Sequence, residues 1–422
     1  MRFFLQHRTI IIICSGAVAE WLEFSAYLYL APRLAELFFP EQDPSTALIS
    51  VFGLFAISYL TRPIGGFIFG YVGDRYGRRL ALTLSVLIMA LATTGIGVLP
   101  TWNSIGLMAP LLLLLLRILQ GGAIAGEFTN AAVFMIEQGK GNPYLAGSWA
   151  NWGANLGVAM GALVTALVSL PDMPDWAWRV PFLLSCITSL LALWIRCRIQ
   201  ESPAFQPTTA RELTPYRVLK ELALRYKGSC LAVVLVGAFA GVSLYAGNMF
   251  WCSYVVSNGF FSQSQANVIA SVDMGVEFIT LPLMAVLAFR VGAKPIMLLG
   301  LLVTLLGAYL NFYMAQRGVT HISMLTMVLF ALGVATFEAP MFKLLFDLFP
   351  AHIRCTGIAL PWAVGLSLFS SPSPMVAQWL SGYYGWFGGV LCLWLVCLLA
   401  LVAMGIYTKR NLEQCSEVTL MK

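Results

Sequence analysis

The chain has 422 residues, of which 59% are hydrophobic and only 10% charged. Soluble domains carry about 25% charged residues, so a soluble multidomain enzyme and a disordered chain are both excluded, and the long apolar runs exclude an outer-membrane barrel. A polytopic helical membrane protein remains, each span needing about 20 apolar residues.

The net charge of +6 fits the excess of Lys and Arg that membrane proteins keep in cytoplasmic loops and calls for no nucleic-acid partner. Nine cysteines include no CxxC pair and no Cys/His cluster. Most lie in apolar runs (Cys14, Cys186, Cys252, Cys392, Cys397), where Cys behaves as a small hydrophobe. No disulfide framework, metal or cofactor is expected.

Arg2 and Arg8 precede an apolar run, and Ala17-Val18-Ala19 resembles a signal-peptidase site. The run continues past Glu20 to about Ala31, so residues 10–31 are read as an uncleaved first span. Further spans are predicted near 46–72, 79–99, 105–136, 144–169 and 178–196, then near 229–256, 265–289, 294–315, 321–347, 354–381 and 386–408. The expected organisation is an N-terminal six-helix half at 1–200, a cytoplasmic linker at 201–228 and a C-terminal six-helix half at 229–422. With both termini cytoplasmic, 19 of the 25 Lys and Arg residues fall inside and only Arg33, Arg179 and Arg317 outside, so that orientation is predicted. Trp102, Trp176, Trp178 and Trp386 sit where an interfacial belt would be.

A short repeat links the halves. Asp74-Arg75-Tyr76-Gly77-Arg78-Arg79 follows the second span, and 215 residues later Phe289-Arg290-Val291-Gly292-Ala293-Lys294 follows the eighth. Arg, Gly and the last base recur, while the acid and one Arg do not. Two parallel six-span halves are a transporter architecture. In the first loop, from Gly70 through Gly73 and Gly77, the glycines permit a tight turn and Asp74 sits where it can meet a helix N-terminus or the local arginines.

That loop, after Thr61-Arg62-Pro63-Ile64-Gly65-Gly66, resembles the cytoplasmic loop of the major facilitator superfamily. Glu20-Trp21-Leu22-Glu23-Phe24 is similar to the first-span segment of the metabolite:proton symporter branch, whose carriers take proline/betaine, citrate, α-ketoglutarate and shikimate. Arg117-Ile118-Leu119-Gln120-Gly121 with Gly126-Glu127, Trp178-Arg179-Val180-Pro181-Phe182, Glu201-Ser202-Pro203 and the stretch Leu348 to Gly357 extend the resemblance in order along the chain. Leu22 stands where that branch usually has an aromatic, Glu23 where it has Asp and Ala17 where Asn is common, which leaves the substrate open. The resemblance implies twelve transmembrane helices in the major facilitator fold. It also implies that Asp74 and Arg78 form a state-dependent latch between the halves, supported by Arg75 and Arg79; Gly70, Gly77, Glu127 and Glu137 are grouped with these as gating candidates. No extended charged C-terminal tail follows, so a tail-based osmotic sensor is not expected.

Ionisable groups inside spans are costly and point to function. Glu20 and Glu23 are three apart, and Asp273 and Glu277 four apart, so each pair shares a helix face. Two close carboxylates do not both ionise readily, which suits proton coupling, and these four are its candidates. Glu127 and Glu338 are read first as partners of Arg62, Arg117 or Lys343 that hold helices together. Arg62, Arg117 and Lys343 are candidates for binding a substrate carboxylate, with Gln120, Asn151, Asn155, Tyr245, Asn248 and Trp362 as polar or aromatic lining. Asn130 and Tyr254 also lie within spans.

No phosphate-binding loop occurs, so transport would be secondary. The expected function is proton-coupled uptake of a small polar metabolite, a zwitterion or carboxylate, by rocking of two halves about a midplane site. The expected setting is the bacterial inner membrane, with the lipid bilayer, protons and the metabolite as partners and the monomer as the working unit. A larger polycarboxylate such as a siderophore is the alternative cargo, and an efflux antiporter of the same fold the alternative direction. A non-transporting sensor would not need internal carboxylates, and an enzyme would need a constellation that His7, His321 and His352, near span ends, do not supply.

Overall fold

The computed structural model describes residues 17–18, 21–22, 24–138, 141–170, 172–196, 200–205 and 214–420. Among them there is helix and no strand, and ten helices are long and apolar enough to cross a membrane. The chain is all-α, as expected. It divides into two compact units, Met1–Gln138 with Trp149–Glu212, and Gly139–Ser148 with Leu213–Lys422. The two parts of the chain therefore exchange a short segment, 139–148, that nothing in its sequence marks.

In the first unit, helical residues 24–29 lead into α1 (Ala31–Phe38), followed by α2 (Pro44–Leu60) and α3 (Arg62–Tyr76). Asp43 caps α2 by accepting from the Thr46 N–H at 3.0 Å. Helices α2 and α3 form one crossing that breaks at Thr61, because Pro63 has no N–H to continue the ladder. Next come α4 (Arg78–Val98), α5 (Met108–Gln138), α6 (Pro143–Val168) and α7 (Val180–Arg196). Helix α5 packs against α2, α3 and α4, and α7 packs on α4. A core of Tyr27, Leu34, Phe38, Leu54, Ile96, Leu113 and Phe182 fills one end of this unit. Trp178 belongs to that core, edge-on to Phe38 at 6.0 Å, and so departs from the interfacial position expected for it. Trp176 is exposed.

Close helix approach depends on glycine. A Cβ at Gly65 of α3 would strike the backbone of Gly122 in α5, and one at Gly126 would strike the Phe69 ring. Small residues at such crossings let backbones meet.

The second unit contains α8 (Pro215–Arg225), α9 (Lys227–Val242), a π-helical segment Ser243–Phe250, α10 (Trp251–Ser257), α11 (Gln263–Val291), α12 (Ala293–Ala315) and α13 (Thr320–Asp347). After these come α14 (Arg354–Gly365), a second π-helical segment Leu366–Ser370, α15 (Ser373–Tyr384) and α16 (Phe387–Leu420). The stretch expected as one span at 354–381 is thus two helices end to end. Ser371 bonds back to the Leu366 carbonyl, and Pro372 then offers no N–H to carry the helix on. Helix α8 lies in the expected linker. Helix α13 packs against α11 and α12, and α9 against α14 and α16. Asn142 joins this unit by donating to the Ala285 carbonyl at 3.1 Å while capping the start of α6.

The loop repeat recurs in backbone geometry. Gly77 (φ 107°, ψ 150°) and Gly292 (φ 96°, ψ 155°) each end one helix and start the next, in a region of φ/ψ space that only glycine occupies readily.

Gly65→Val is expected to lower stability by about 1–3 kcal/mol through overpacking, read as a lower thermal midpoint of the detergent-solubilised protein. Gly53→Ala, where a Cβ meets nothing within 4 Å, serves as the control and is expected to cause no such loss.

Candidate functional site

Two buried arginines mark the first unit. Arg62, at the α2–α3 break, is 1% exposed and lays its guanidinium over the Tyr59 ring at 3.7 Å and the Phe24 ring at 5.0 Å. Its Nε and Nη2 have no hydrogen-bond partner among the described residues. Arg117 on α5 sits over Tyr27 at 3.9 Å, with Phe24 and Phe55 each at 5.5 Å. Its Nη1 donates to Gln120 at 2.8 Å and its Nη2 to Ser58 at 3.4 Å. Gln120 in turn donates to Thr93 at 2.6 Å.

Phe24 serves both guanidinium groups, and Phe24, Phe55 and Tyr59 pack on one another at 5.1–5.9 Å. The result is a cationic aromatic cluster in which π faces offset part of the cost of burying charge. Glu20 and Glu23, expected beside it in sequence, lie outside the described residues. Asn151 is buried and Asn155 half-buried on α6.

The second set of residues surrounds the α3–α4 turn. Arg78 is 1% exposed and spans several partners. Its Nε and Nη2 donate to the Glu137 carboxylate at 3.1 and 3.3 Å, its Nη1 donates to the Gly73 carbonyl at 3.0 Å, and Asp74 lies 3.8 Å away. Ser202 also donates to Glu137. Glu201 accepts from the backbone N–H groups of Arg78 and Arg79 at 3.0–3.3 Å, placing a carboxylate on the positive N-terminus of α4. Asp74 and Arg78, expected to latch the two halves, lie here in one network with Glu137, Glu201 and Ser202. Arg75 donates to the Tyr71 hydroxyl, Arg79 is exposed, and Gly70 is buried on α3. Glu127 is buried and accepts from Ser85 at 2.7 Å.

In the second unit, Asp273 of α11 is 4% exposed and accepts from Asn248 Nδ2 at 2.8 Å. Asn248 and Tyr245 are buried in the first π-helical segment, an irregularity common at functional sites. Glu277 is half-buried one turn beyond Asp273. Trp362 is buried against Phe342, with ring centroids 5.5 Å apart. Lys343, expected to bind substrate, is instead ion-paired with Asp347 one turn along α13.

Residues 15–225 match the family described as sugar (and other) transporter. The proline/betaine transporter of Escherichia coli K12 is 30% identical over 380 residues, 86% of this chain and 76% of that protein. The glycine betaine/proline/ectoine/pipecolic acid transporter OusA of Dickeya dadantii is also 30% identical over 380 residues, 86% of this chain and 75% of that protein.

The chain belongs to the sugar (and other) transporter family of the major facilitator superfamily.

Solved structures agree on the fold. The proton:xylose symporter XylE bound to 6-bromo-6-deoxy-D-glucose superposes with a TM-score of 0.73 at 17% identity, covering 95% of this chain and 94% of that one. A human organic anion transporter, MFSD10, superposes with a TM-score of 0.68 at 17% identity, covering 95% and 99%. This member of the superfamily is a multi-pass membrane transporter and not an enzyme.

The sequence marks the arginines, the turn and the partners Asp74, Gln120 and Glu137, but not Glu201, Ser58, Ser85 or Thr93. In sequence Glu201 stands out only as part of the segment Glu201-Ser202-Pro203. Its capping role is invisible until the chain at 200–205 returns to the start of α4. Ser58, Ser85 and Thr93 are ordinary small polar residues in apolar runs, and spacing alone does not aim them at Arg117, Glu127 or Gln120.

The Arg78–Glu137 pair is buried on both sides, so removing one partner strands a charge. Arg78→Ala and Glu137→Ala are each expected to cost about 3–5 kcal/mol. The double variant is expected to cost less than the sum of the two, in a double-mutant cycle read by thermal unfolding.

Proposed function

We propose that this transporter carries a small zwitterionic or carboxylate metabolite into the cell together with protons, by alternating access. Its setting is the bacterial inner membrane with both termini cytoplasmic, as the distribution of Lys and Arg argues, and the monomer is the working unit. The observation that carries the substrate class is Arg62. A buried guanidinium with two donor nitrogens unpartnered among the described residues matches the fork geometry of a carboxylate.

Arg117 spends its Nη1 and Nη2 on Gln120 and Ser58 and acts as a positioning group within the same aromatic cluster. The open fork of Arg62 among the described residues favours a single carboxylate over a polycarboxylate cargo. The names of the relatives point the same way, since proline and glycine betaine each carry one carboxylate and one cationic nitrogen. Glu20 and Glu23 of the first span, with Asp273 and Glu277 of α11, are the candidates for proton coupling. Asn151, Asn155, Tyr245, Asn248 and Trp362 are candidate lining residues, and the Arg78 network a candidate gate.

The test compares glycine betaine with choline, a similar cation that lacks the carboxylate, in cells expressing the transporter. Wild-type protein is expected to take up labelled betaine, with choline a poor competitor. Arg62→Ala is expected to weaken betaine recognition by roughly ten- to a hundredfold, the worth of a charged hydrogen bond, and Arg62→Lys to restore only part of it. Unchanged competition by both compounds in Arg62→Ala would remove Arg62 from the site.

A further inference from the structure

Trp21 precedes Phe24 by three residues, so the two rings share a helix face. They meet edge to face with centroids 5.7 Å apart, and Trp21 meets Phe128 of α5 in the same way at 5.9 Å. Phe24 is also the ring over which Arg62 lies at 5.0 Å and Arg117 at 5.5 Å. A single phenyl ring therefore has the indole and both guanidinium groups as neighbours.

Packing fixes the indole. On α6, a Cβ at Gly157 would come within 2.8 Å of Trp21 Cβ and 2.5 Å of the Val18 carbonyl oxygen, and one at Gly161 within 2.5 Å of the Leu22 carbonyl oxygen. Glycine at these two positions lets the backbone of the first span rest directly on α6. Phe24 and Phe128 are buried, while Trp21 is half-buried. Of the three rings, Trp21 is the one that keeps an open side.

The indole nitrogen points to a ligand. Trp is a donor only, and a buried indole N–H ordinarily finds an acceptor. Nε1 of Trp21 is buried yet has no hydrogen-bond partner among the described residues, and the same holds for Nε and Nη2 of Arg62. Nearby hydroxyl and amide groups are engaged elsewhere. Ser25 donates to the Leu22 carbonyl at 3.0 Å and Tyr27 to the Val51 carbonyl at 3.1 Å, while Gln120 and Ser58 accept from Arg117. Indole and fork thus share an unmet demand for an acceptor, and leaving such a demand unmet is costly.

A carboxylate supplies it. Its two oxygens offer about four lone-pair sites, so it can take a guanidinium fork and still accept from a third donor. In an amino-acid-like zwitterion the carboxylate holds the only acceptor oxygens, so an N–H that faces the solute faces that end.

We propose that Trp21 is a recognition residue whose indole N–H donates to the carboxylate of the bound solute, alongside Arg62. This rests on the carboxylate reading of Arg62 above and adds a neutral donor to it.

The test replaces Trp21 in the full chain by 3-benzothienylalanine, which keeps the bicyclic ring and puts sulfur in place of the N–H. Thermal midpoints of the detergent-solubilised protein are titrated with glycine betaine, proline and citrate. Without solute the midpoint is expected to stay unchanged, since the N–H removed has no partner in the protein. The solute concentration that gives half of the stabilising shift is expected to rise roughly tenfold, the worth of one hydrogen bond to a charged group. Trp21→Phe, which also lacks the N–H, is expected to weaken binding by at least as much. Unchanged affinity in either variant would overturn the proposal. So would a lower solute-free midpoint in the benzothienylalanine protein, which would give the N–H a partner inside the protein.

Arg62→Ala separates this proposal from the reading it rests on. A response weakened in Arg62→Ala but not in the Trp21 variants leaves the carboxylate reading standing and removes Trp21 from it. A response weakened in the Trp21 variants alone supports Trp21 as the donor and removes Arg62. No response of the wild type to any of the three carboxylates overturns both.

Discussion

A charge at the depth of the hydrocarbon has to be paired, laid on an aromatic face or neutralised by a proton, and the buried ionisable residues of this chain divide along those lines. Arg78 is paired, with Glu137 as its main partner. Arg62 and Arg117 rest on aromatic rings, and Asp273 accepts from the side-chain amide of Asn248. The difference is functional. The Arg78 network is nearly saturated and suits a joint that holds or releases. Arg62 and Asp273 each leave polar atoms unpartnered among the described residues, which suits groups that bind something arriving from outside.

The two units repeat one glycine turn and use it differently. Gly77 and Gly292 adopt the same backbone conformation 215 residues apart, and each starts a helix at the next residue. Around Gly77 the turn carries Asp74, Arg78 and a capping Glu201; around Gly292 the corresponding positions are Phe289 and Ala293. The first unit buries cationic side chains in its aromatic cluster and acids elsewhere, at Asp74, Glu127 and Glu137, while the second buries Asp273 and Glu338.

Much of this was legible in the sequence, for physical reasons. Long apolar runs can only be spans, a glycine between two helices announces a turn, and a charge within a span is too costly to be incidental. Spacing along one helix, however, reports only which residues share its face. It groups Asp273 with Glu277 but does not show that Asn248, on another element, donates to Asp273. It placed Lys343 among the substrate ligands, whereas Asp347, one turn away, holds it. It counted Trp178 as interfacial, where the packing of Phe38 and Phe182 makes it core. Pro63 and Pro372 were visible, but the break at Thr61 and the division of the 354–381 span follow only once the missing N–H groups are traced through the helix.

The proposed transport requires that a proton gradient drive solute inward. This is read as accumulation of labelled glycine betaine and proline by purified protein in proteoliposomes, with an inside-alkaline pH gradient imposed and then collapsed by a protonophore. Accumulation above the external concentration is expected, growing with the gradient and decaying to equilibration when it is removed. Accumulation indifferent to the gradient, or gradient-driven expulsion of preloaded solute, would contradict it.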